Sequence, residues 1–108
     1  MKYIYINRDC DTARREEFLR NNAHLSQLQR FSAIDGKMVD MEELKVEGII
    51  EGNPGYSYGA IGSALSHLLI WSGVAEHDMC TTIIEDDAIT CRNFISESEK
   101  IIQSLPRE

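Results

Sequence analysis

Three consecutive acidic side chains, Glu85, Asp86 and Asp87, offer the clearest chemistry in this sequence. They follow the run 81–84, whose two threonines and two isoleucines predict a short buried strand. In α/β sheets, ligands bind beyond the carboxyl ends of the strands. Adjacent carboxylates repel one another unless a positive group shares the site, and a hard divalent cation commonly does so. The stretch therefore predicts a metal site at the sheet rim, with a solvated acidic turn as the alternative.

The direction of each acidic side chain follows from the geometry of an extended chain. Successive side chains in a strand point to opposite faces, so Glu85 and Asp87 are expected on one side and Asp86 on the other. Glu85 and Asp87 are thus the expected metal ligands, and Asp86 is expected to bond elsewhere.

Length, composition and charge fit one globular domain with an acidic surface. The chain has 108 residues, of which 43% are hydrophobic and 27% charged, and its formal net charge is −7. Such a surface disfavours nucleic acid and anionic membranes as partners. The three cysteines are odd in number and form no C-x-x-C pair, which fits reduced thiols in a cytosolic protein. No signal peptide or membrane-spanning segment is expected.

Strand and helix patterns alternate along the chain and predict an α/β fold with a mostly parallel sheet. The central helix has apolar residues on more than one face, which predicts that it is largely buried. The predicted strands are 2–6, 27–34 and 81–84, and the predicted helical segments are 12–21, 41–46, 60–74 and 93–105.

Other candidate residues keep two interpretations each. Arg14 and Arg15, near the start of the first helix, are either a phosphate contact or a solvated helix face. His67, in the central helix, is either a core histidine or a side chain that reaches the acidic rim. The segment 51–59 is rich in Gly and Pro and is either a flap over a site or a plain connection.

Four short motifs occur in an order that is more specific than any one of them. They are Tyr3-Ile4-Tyr5-Ile6-Asn7-Arg8-Asp9 with Arg14-Arg15 downstream, Phe31-Ser32-Ala33-Ile34-Asp35-Gly36, Ile61-Gly62-Ser63-Ala64-Leu65-Ser66-His67 with Trp71, and Ile84-Glu85-Asp86-Asp87-Ala88. In this order they resemble the N-terminal half of glycosyltransferase family 25, the bacterial lipooligosaccharide galactosyltransferase group. Two departures stand out: Ser63 replaces the family's usual cysteine, and Asn7-Arg8-Asp9 does not align cleanly with the family's Asn-Leu-Asp-Arg.

The resemblance implies a GT-A-like fold, with a partial Rossmann-type sheet flanked by helices and truncated relative to the family. Residues 1–108 would form a single N-terminal donor-binding domain, with the C-terminal acceptor half absent. The implied reaction is an inverting transfer from a nucleotide sugar, commonly UDP-galactose, to a lipooligosaccharide acceptor. The implied cofactor is Mn²⁺ or Mg²⁺, held by Asp87 and Glu85, which would stabilise the charge of the departing diphosphate.

The resemblance also implies donor contacts from seven side chains. Asn7 and Arg8 would face the base and ribose, Arg14 or Arg15 the phosphates, Asp35 the nucleoside, Asp86 the ribose or sugar hydroxyls, and His67 would lie behind the site or touch the donor.

Alternatives remain at this point. No carboxylate outside the acidic cluster stands out as the general base that inversion needs, so the catalytic residue is unassigned and weak or absent transfer is expected from this chain alone. A non-catalytic binding or oligomerisation module that kept the fold is the second hypothesis, and a homo-oligomer would suit it. A receiver-like signalling domain is a third hypothesis. It needs a pair of acidic residues at the end of the first strand, and Asn7-Arg8-Asp9 matches that requirement poorly. The expected location is cytoplasmic, with peripheral inner-membrane association as an option.

Overall fold

A computed structural model describes residues 1–52 and 55–106 and shows a three-stranded parallel sheet with helices around it. The strand order is β2-β1-β3, so the first strand lies in the centre. This confirms the predicted α/β class, and the arrangement is consistent with a Rossmann-like fold. The elements are β1 Lys2–Asn7, α1 Thr12–Asn21, β2 Leu28–Ser32, a 3-10 helix Gly36–Met38, α2 Met41–Val46, α3 Tyr58–His77, β3 Thr81–Glu85 and α4 Phe94–Ser104.

The alternation of side chains along β1 builds two cores, one on each face of the sheet. Tyr5 packs with Phe18 of α1 and Ile84 of β3, and side chains of α4 lie against this cluster. On the other face, Ile4 and Ile6 pack with Ile70 of α3. Because both faces of β1 are covered, its aromatic and β-branched sequence suits a central parallel strand.

Helix α3 is longer and less buried than its sequence predicts. It extends from Tyr58 to His77 and passes through Gly73. Ser57 caps its start, and Asp78, in a left-handed conformation, ends it. Its buried residues are Ile61, Gly62, Ser66 and Ile70, whereas Leu68, Leu69 and Trp71 are about half exposed. The prediction of a largely buried helix is therefore wrong for the face that carries Leu68 and Trp71.

The segment between β2 and α3 was harder to predict. Strand β2 is shorter than predicted and ends at Ser32, after which the chain turns into the 3-10 helix. The helical turn at Met41–Val46 is confirmed. Within the predicted loop 51–59, residues 53 and 54 lie outside the described part of the chain, and α3 already begins at Tyr58.

Two glycines let the turn after β2 lie directly against the start of α3. A methyl group on Gly36 would overlap the carbonyl oxygen of Tyr58, and one on Gly62 would lie 2.8 Å from the Gly36 nitrogen. The buried Ser66 reinforces the contact, since its hydroxyl accepts from the Ile34 amide at 2.9 Å and donates to the Gly62 carbonyl at 2.7 Å. The small residues of α3 thus permit a close approach of the two segments, and they fix the turn beside the ends of the strands.

Among the described residues, no helix combines the length and the apolar character needed to cross a bilayer. Cys10, Cys80 and Cys91 are all exposed, and none of them forms a disulfide.

Candidate functional site

A cleft of about 330 Å³ lies at the carboxyl ends of the strands. Parallel strands bring their carboxyl ends to one edge of a sheet, which is where α/β proteins bind ligands. The cleft volume falls at the lower end of the range for small-molecule pockets. Six of the nine predicted site residues line it: Asn7, Arg8, Arg14, Asp35, Glu85 and Asp86.

Asn7 joins the three strand ends from a buried position, with 1% of its surface exposed. Its amide nitrogen donates to Asp86 Oδ2 at 2.8 Å and to the Asp11 carbonyl at 3.1 Å. Its amide oxygen accepts from Arg30 Nε of β2 at 3.1 Å. With both amide hydrogens and the oxygen engaged, Asn7 shapes the floor of the cleft from within the protein.

Asp86 is the acidic residue that bridges the cleft floor to helix α1. Its Oδ1 accepts from Arg14 Nη2 at 2.7 Å, while its Oδ2 accepts from Asn7. The Asp86 side chain is 11% exposed and that of Arg14 is 54% exposed, so the carboxylate is held inside while the guanidinium reaches the open cleft. Asp86 thereby holds the Arg14 guanidinium in a position to contact a ligand in the cleft.

The end of β3 differs from the expected alternation. The strand stops at Glu85 and the chain turns, with the Ala88 amide donating to the Glu85 carbonyl at 3.1 Å. Because residues in a turn do not alternate as in a strand, Glu85 and Asp86 both line the cleft, whereas Asp87 is exposed and does not. The expected pairing of Glu85 with Asp87 on one side is not observed.

Arg8 forms a second ion pair at the cleft. Its Nε donates to Asp11 Oδ2 at 2.7 Å, and its Nη1 lies 3.9 Å from Asp35 Oδ1. The hydrogen bond from Arg8 lowers the pKa of Asp11 below its ordinary value, and the same bond raises the pKa of Arg8. Asp11 stands at the start of α1, but its carboxylate binds Arg8 and makes no capping bond to the helix.

Arg30 ties β2 to the loop after β1. Its Nη2 donates to the Asn7 carbonyl at 3.0 Å and to Asp9 Oδ1 at 2.6 Å, and the Ser32 hydroxyl also donates to Asp9. The two bonds to the Asp9 carboxylate lower its pKa, and the bond from Arg30 has the larger effect. The loop that carries Arg8 is therefore held from both sides.

Two further predicted residues lie outside the cleft. Arg15 is partly buried on α1 and does not line it, so Arg14 is the arginine that the helix presents there. His67 does not line the cleft either, but its Nε2 lies 3.7 Å from Oε1 of the cleft residue Glu85. Of the two interpretations for His67, the structure favours the approach to the acidic rim.

The cleft also includes residues that sequence analysis missed. Lys37 follows the Asp35-Gly36 turn, and Tyr58, Gly59 and Ser63 belong to the first turns of α3. In the sequence, only Gly36 and Gly62 indicate this contact, because both glycines are needed for the turn and the helix to touch. Asn22 lies outside the cleft. It is buried at the end of α1, where it donates to the Ala88 carbonyl at 2.9 Å and accepts from the Thr90 amide, and so it ties α1 to the loop after β3.

The order of the four motifs and their meeting in one cleft agree with a match over nearly the whole sequence. The sequence profile of "Glycosyltransferase family 25 (LPS biosynthesis protein)" matches residues 1–107. The chain belongs to glycosyltransferase family 25. No curated protein and no solved structure matches it.

The cleft of this glycosyltransferase family 25 member is lined by charged side chains of both signs. Its lining has three cationic side chains, Arg8, Arg14 and Lys37, and four acidic ones, Asp11, Asp35, Glu85 and Asp86. Both arginines are already paired with a carboxylate. A diphosphate entering this slightly negative cleft would need further positive charge.

A cation at this edge of the sheet would have to share its coordination with a ligand. Among residues 1–52 and 55–106, no group of three His, Cys, Asp or Glu side chains is placed to hold a metal ion. Mg²⁺ commonly uses only one or two protein carboxylates and completes its shell with phosphate oxygens and water. Glu85 is the cleft carboxylate suited to that part, since both oxygens of Asp86 accept bonds from protein donors.

Proposed function

We propose that this chain is the donor-binding part of a glycosyltransferase that takes a nucleotide sugar, UDP-galactose by resemblance, for inverting transfer to a saccharide of lipopolysaccharide or lipooligosaccharide. Membership of glycosyltransferase family 25 supports the class of reaction and its place in lipopolysaccharide biosynthesis. The observation that carries the proposal is the convergence of six predicted site residues in one cleft at the strand ends. The GT-A assignment and the cytoplasmic location belong to the same proposal.

We place the diphosphate among groups that line the cleft from three elements. They are Arg14 on α1, Lys37 on the turn after β2, and Tyr58 and Gly59 in the first turn of α3. Helix amino termini favour anions through their exposed N–H groups and dipole. The diphosphate would bind between these groups, with Asp86 holding Arg14 in place.

The remaining groups suit the nucleoside and the sugar. Arg8 and Asp35 lie together beside the end of β1 and offer donors and an acceptor to the base and ribose. Glu85, at the end of β3, would hold Mn²⁺ or Mg²⁺ together with the phosphate oxygens. When bound, the cation would supply the positive charge that the leaving diphosphate needs. Asp87 keeps its predicted ligand role as part of the proposal, although it lies outside the cleft.

Calorimetric titration of UDP and UDP-galactose, with and without Mn²⁺, tests the proposal. We expect binding that strengthens about tenfold or more with Mn²⁺. Arg14→Gln should weaken UDP binding by about tenfold, because it removes a charge-assisted contact to phosphate. Arg20→Gln is the matched control, since Arg20 is an exposed arginine in the last turn of the same helix.

Further variants separate the roles of the acidic residues. Glu85→Gln should remove most of the Mn²⁺ effect, and Asp87→Asn should do the same if Asp87 is a ligand. If Arg14→Gln binds UDP as well as the parent chain, the phosphate assignment is wrong. If neither nucleotide binds under any condition, the chain is better described as a non-catalytic module that retained the fold.

A further inference from the structure

The single tryptophan of the chain lies exposed on helix α3, close to the cleft. Trp71 is 57% exposed and the neighbouring Leu68 is 45% exposed. An exposed indole ring offers a flat apolar face and one N–H donor, which a ligand or a partner can use. The question is which of the two covers it.

Successive turns of α3 lead from the cleft to Trp71. Ser63 lines the cleft, His67 follows one turn later, and Trp71 follows after another. The His67 imidazole is 3.7 Å from the cleft residue Glu85, and its ring centre lies 6.0 Å from that of Trp71 in an edge-on arrangement. At 1.5 Å of rise per residue, Ser63 and Trp71 are about 12 Å apart along the helix. That distance is within the reach of a short oligosaccharide whose end lies in the cleft.

The chemistry of this surface suits a saccharide. One face of a pyranose ring carries C–H groups that pack on an aromatic ring through dispersion, while its hydroxyls need polar partners nearby. Trp71 supplies the ring, and His67 and Glu85 supply hydrogen-bonding groups between the ring and the cleft.

A second copy of the chain suits the same surface less well. The large apolar side chains on this face are Leu68 and Trp71, and their exposed neighbours on the helix, Ala64, Ser72 and Ala75, are small. Stable protein interfaces bury about 800 Å² per partner. Two half-exposed large side chains supply only a small apolar centre for such an interface, whereas a single sugar ring needs no more than one aromatic face.

We propose that Trp71, with His67 beside it, forms a platform for the acceptor saccharide at the rim of the cleft. The inference rests on the proposed function, because it places the acceptor next to the donor site. Trp71 is a binding residue in this proposal and takes no part in the chemical step.

Tryptophan fluorescence tests the platform directly, since Trp71 is the chain's only tryptophan. The probes are lactose and a deacylated lipopolysaccharide core oligosaccharide, with glycerol as a polyol control. We expect a saturable change in emission with the oligosaccharide and none with glycerol. By calorimetry, Trp71→Ala should lower oligosaccharide affinity by about tenfold, as expected for one lost aromatic stack, and Trp71→Phe should lower it less.

Controls separate the platform from the donor site and from self-association. Leu69→Ala removes a half-exposed apolar side chain from a different face of α3 and should leave oligosaccharide affinity unchanged. UDP binding should survive Trp71→Ala. If UDP binds and neither saccharide does, the platform is wrong and the donor site stands. A parent dimer that Trp71→Ala converts to monomer in sedimentation would also overturn the platform. Saccharide binding without UDP binding would support the platform and contradict the proposed donor site.

Discussion

Gly36→Ala should destabilise the chain by about 3 kcal/mol, a large share of the roughly 5–15 kcal/mol that holds a typical domain together. A methyl group at this position would overlap the backbone carbonyl of Tyr58, and backbone cannot move aside as a flexible side chain can. The turn and the start of α3 would have to separate. Urea denaturation of the parent and the variant measures the difference.

Two glycines of the same helix provide the comparison for Gly36→Ala. Gly62→Ala should be similarly harmful, since its methyl group would meet the Ile34 carbonyl and the Gly36 amide. Gly73→Ala should instead stabilise by about 0.5–1 kcal/mol, because nothing lies near its side-chain position and alanine favours helix. If Gly36→Ala and Gly73→Ala unfold at the same urea concentration, the close contact between the turn and α3 is not what holds this part of the fold.

Asn7→Ala should destabilise by about 2–3 kcal/mol and abolish UDP binding. The substitution removes three side-chain hydrogen bonds at a position with almost no access to water. It leaves Asp86 without its buried partner, and a buried polar group that loses its bond retains the full cost of desolvation. Arg14 would lose its fixed anchor as a result. Urea denaturation gives the first quantity and calorimetry with UDP the second.

A charge substitution at the same position sharpens this test. Asn7→Asp places a second carboxylate within hydrogen-bonding distance of Asp86, so the loss of stability should be greater at pH 7 than at pH 4.5, where protonation relieves the repulsion. Asn93→Ala is the control, because Asn93 is exposed and its side chain makes no capping bond to α4. It should change stability by less than about 0.5 kcal/mol. If Asn7→Ala and Asn93→Ala change the free energy of unfolding and UDP binding equally, Asn7 does not hold the site together.

Sequence alone was enough to place the strands and their shared edge. The aromatic and β-branched runs of β1 and β3 differ from the helical patterns around them, and each run ends in polar residues. In a parallel sheet those ends must meet, so the meeting of Arg8 with Glu85 in one cleft follows from topology. The family resemblance added the expectation that the edge binds a nucleotide sugar.

Features that depend on a local turn or on distant contacts could not be predicted in the same way. The alternation rule assumes an extended chain, and the turn after Glu85 exchanges the expected places of Asp86 and Asp87. Lys37 and Tyr58 meet only because two glycines allow backbone to touch backbone.

The exposed face of α3 was mispredicted for a different reason. Apolar residues such as Leu68 and Trp71 raise the hydrophobicity of a helix whatever covers them. Hydrophobic periodicity reports only which residues favour burial, and it does not say whether a partner element is present to bury them.

The most direct test of the donor cleft is a titration of ¹⁵N-labelled protein with UDP and Mg²⁺, followed by amide chemical shifts. We expect one saturable process that moves the amides of Arg8, Gly36, Gly59 and Glu85, which surround the cleft. The amides of Met79 and Cys80, just before β3 at the opposite edge of the sheet, should not move. Shifts confined to that opposite edge, or no shifts at millimolar UDP, would contradict a nucleotide-sugar site at the strand ends.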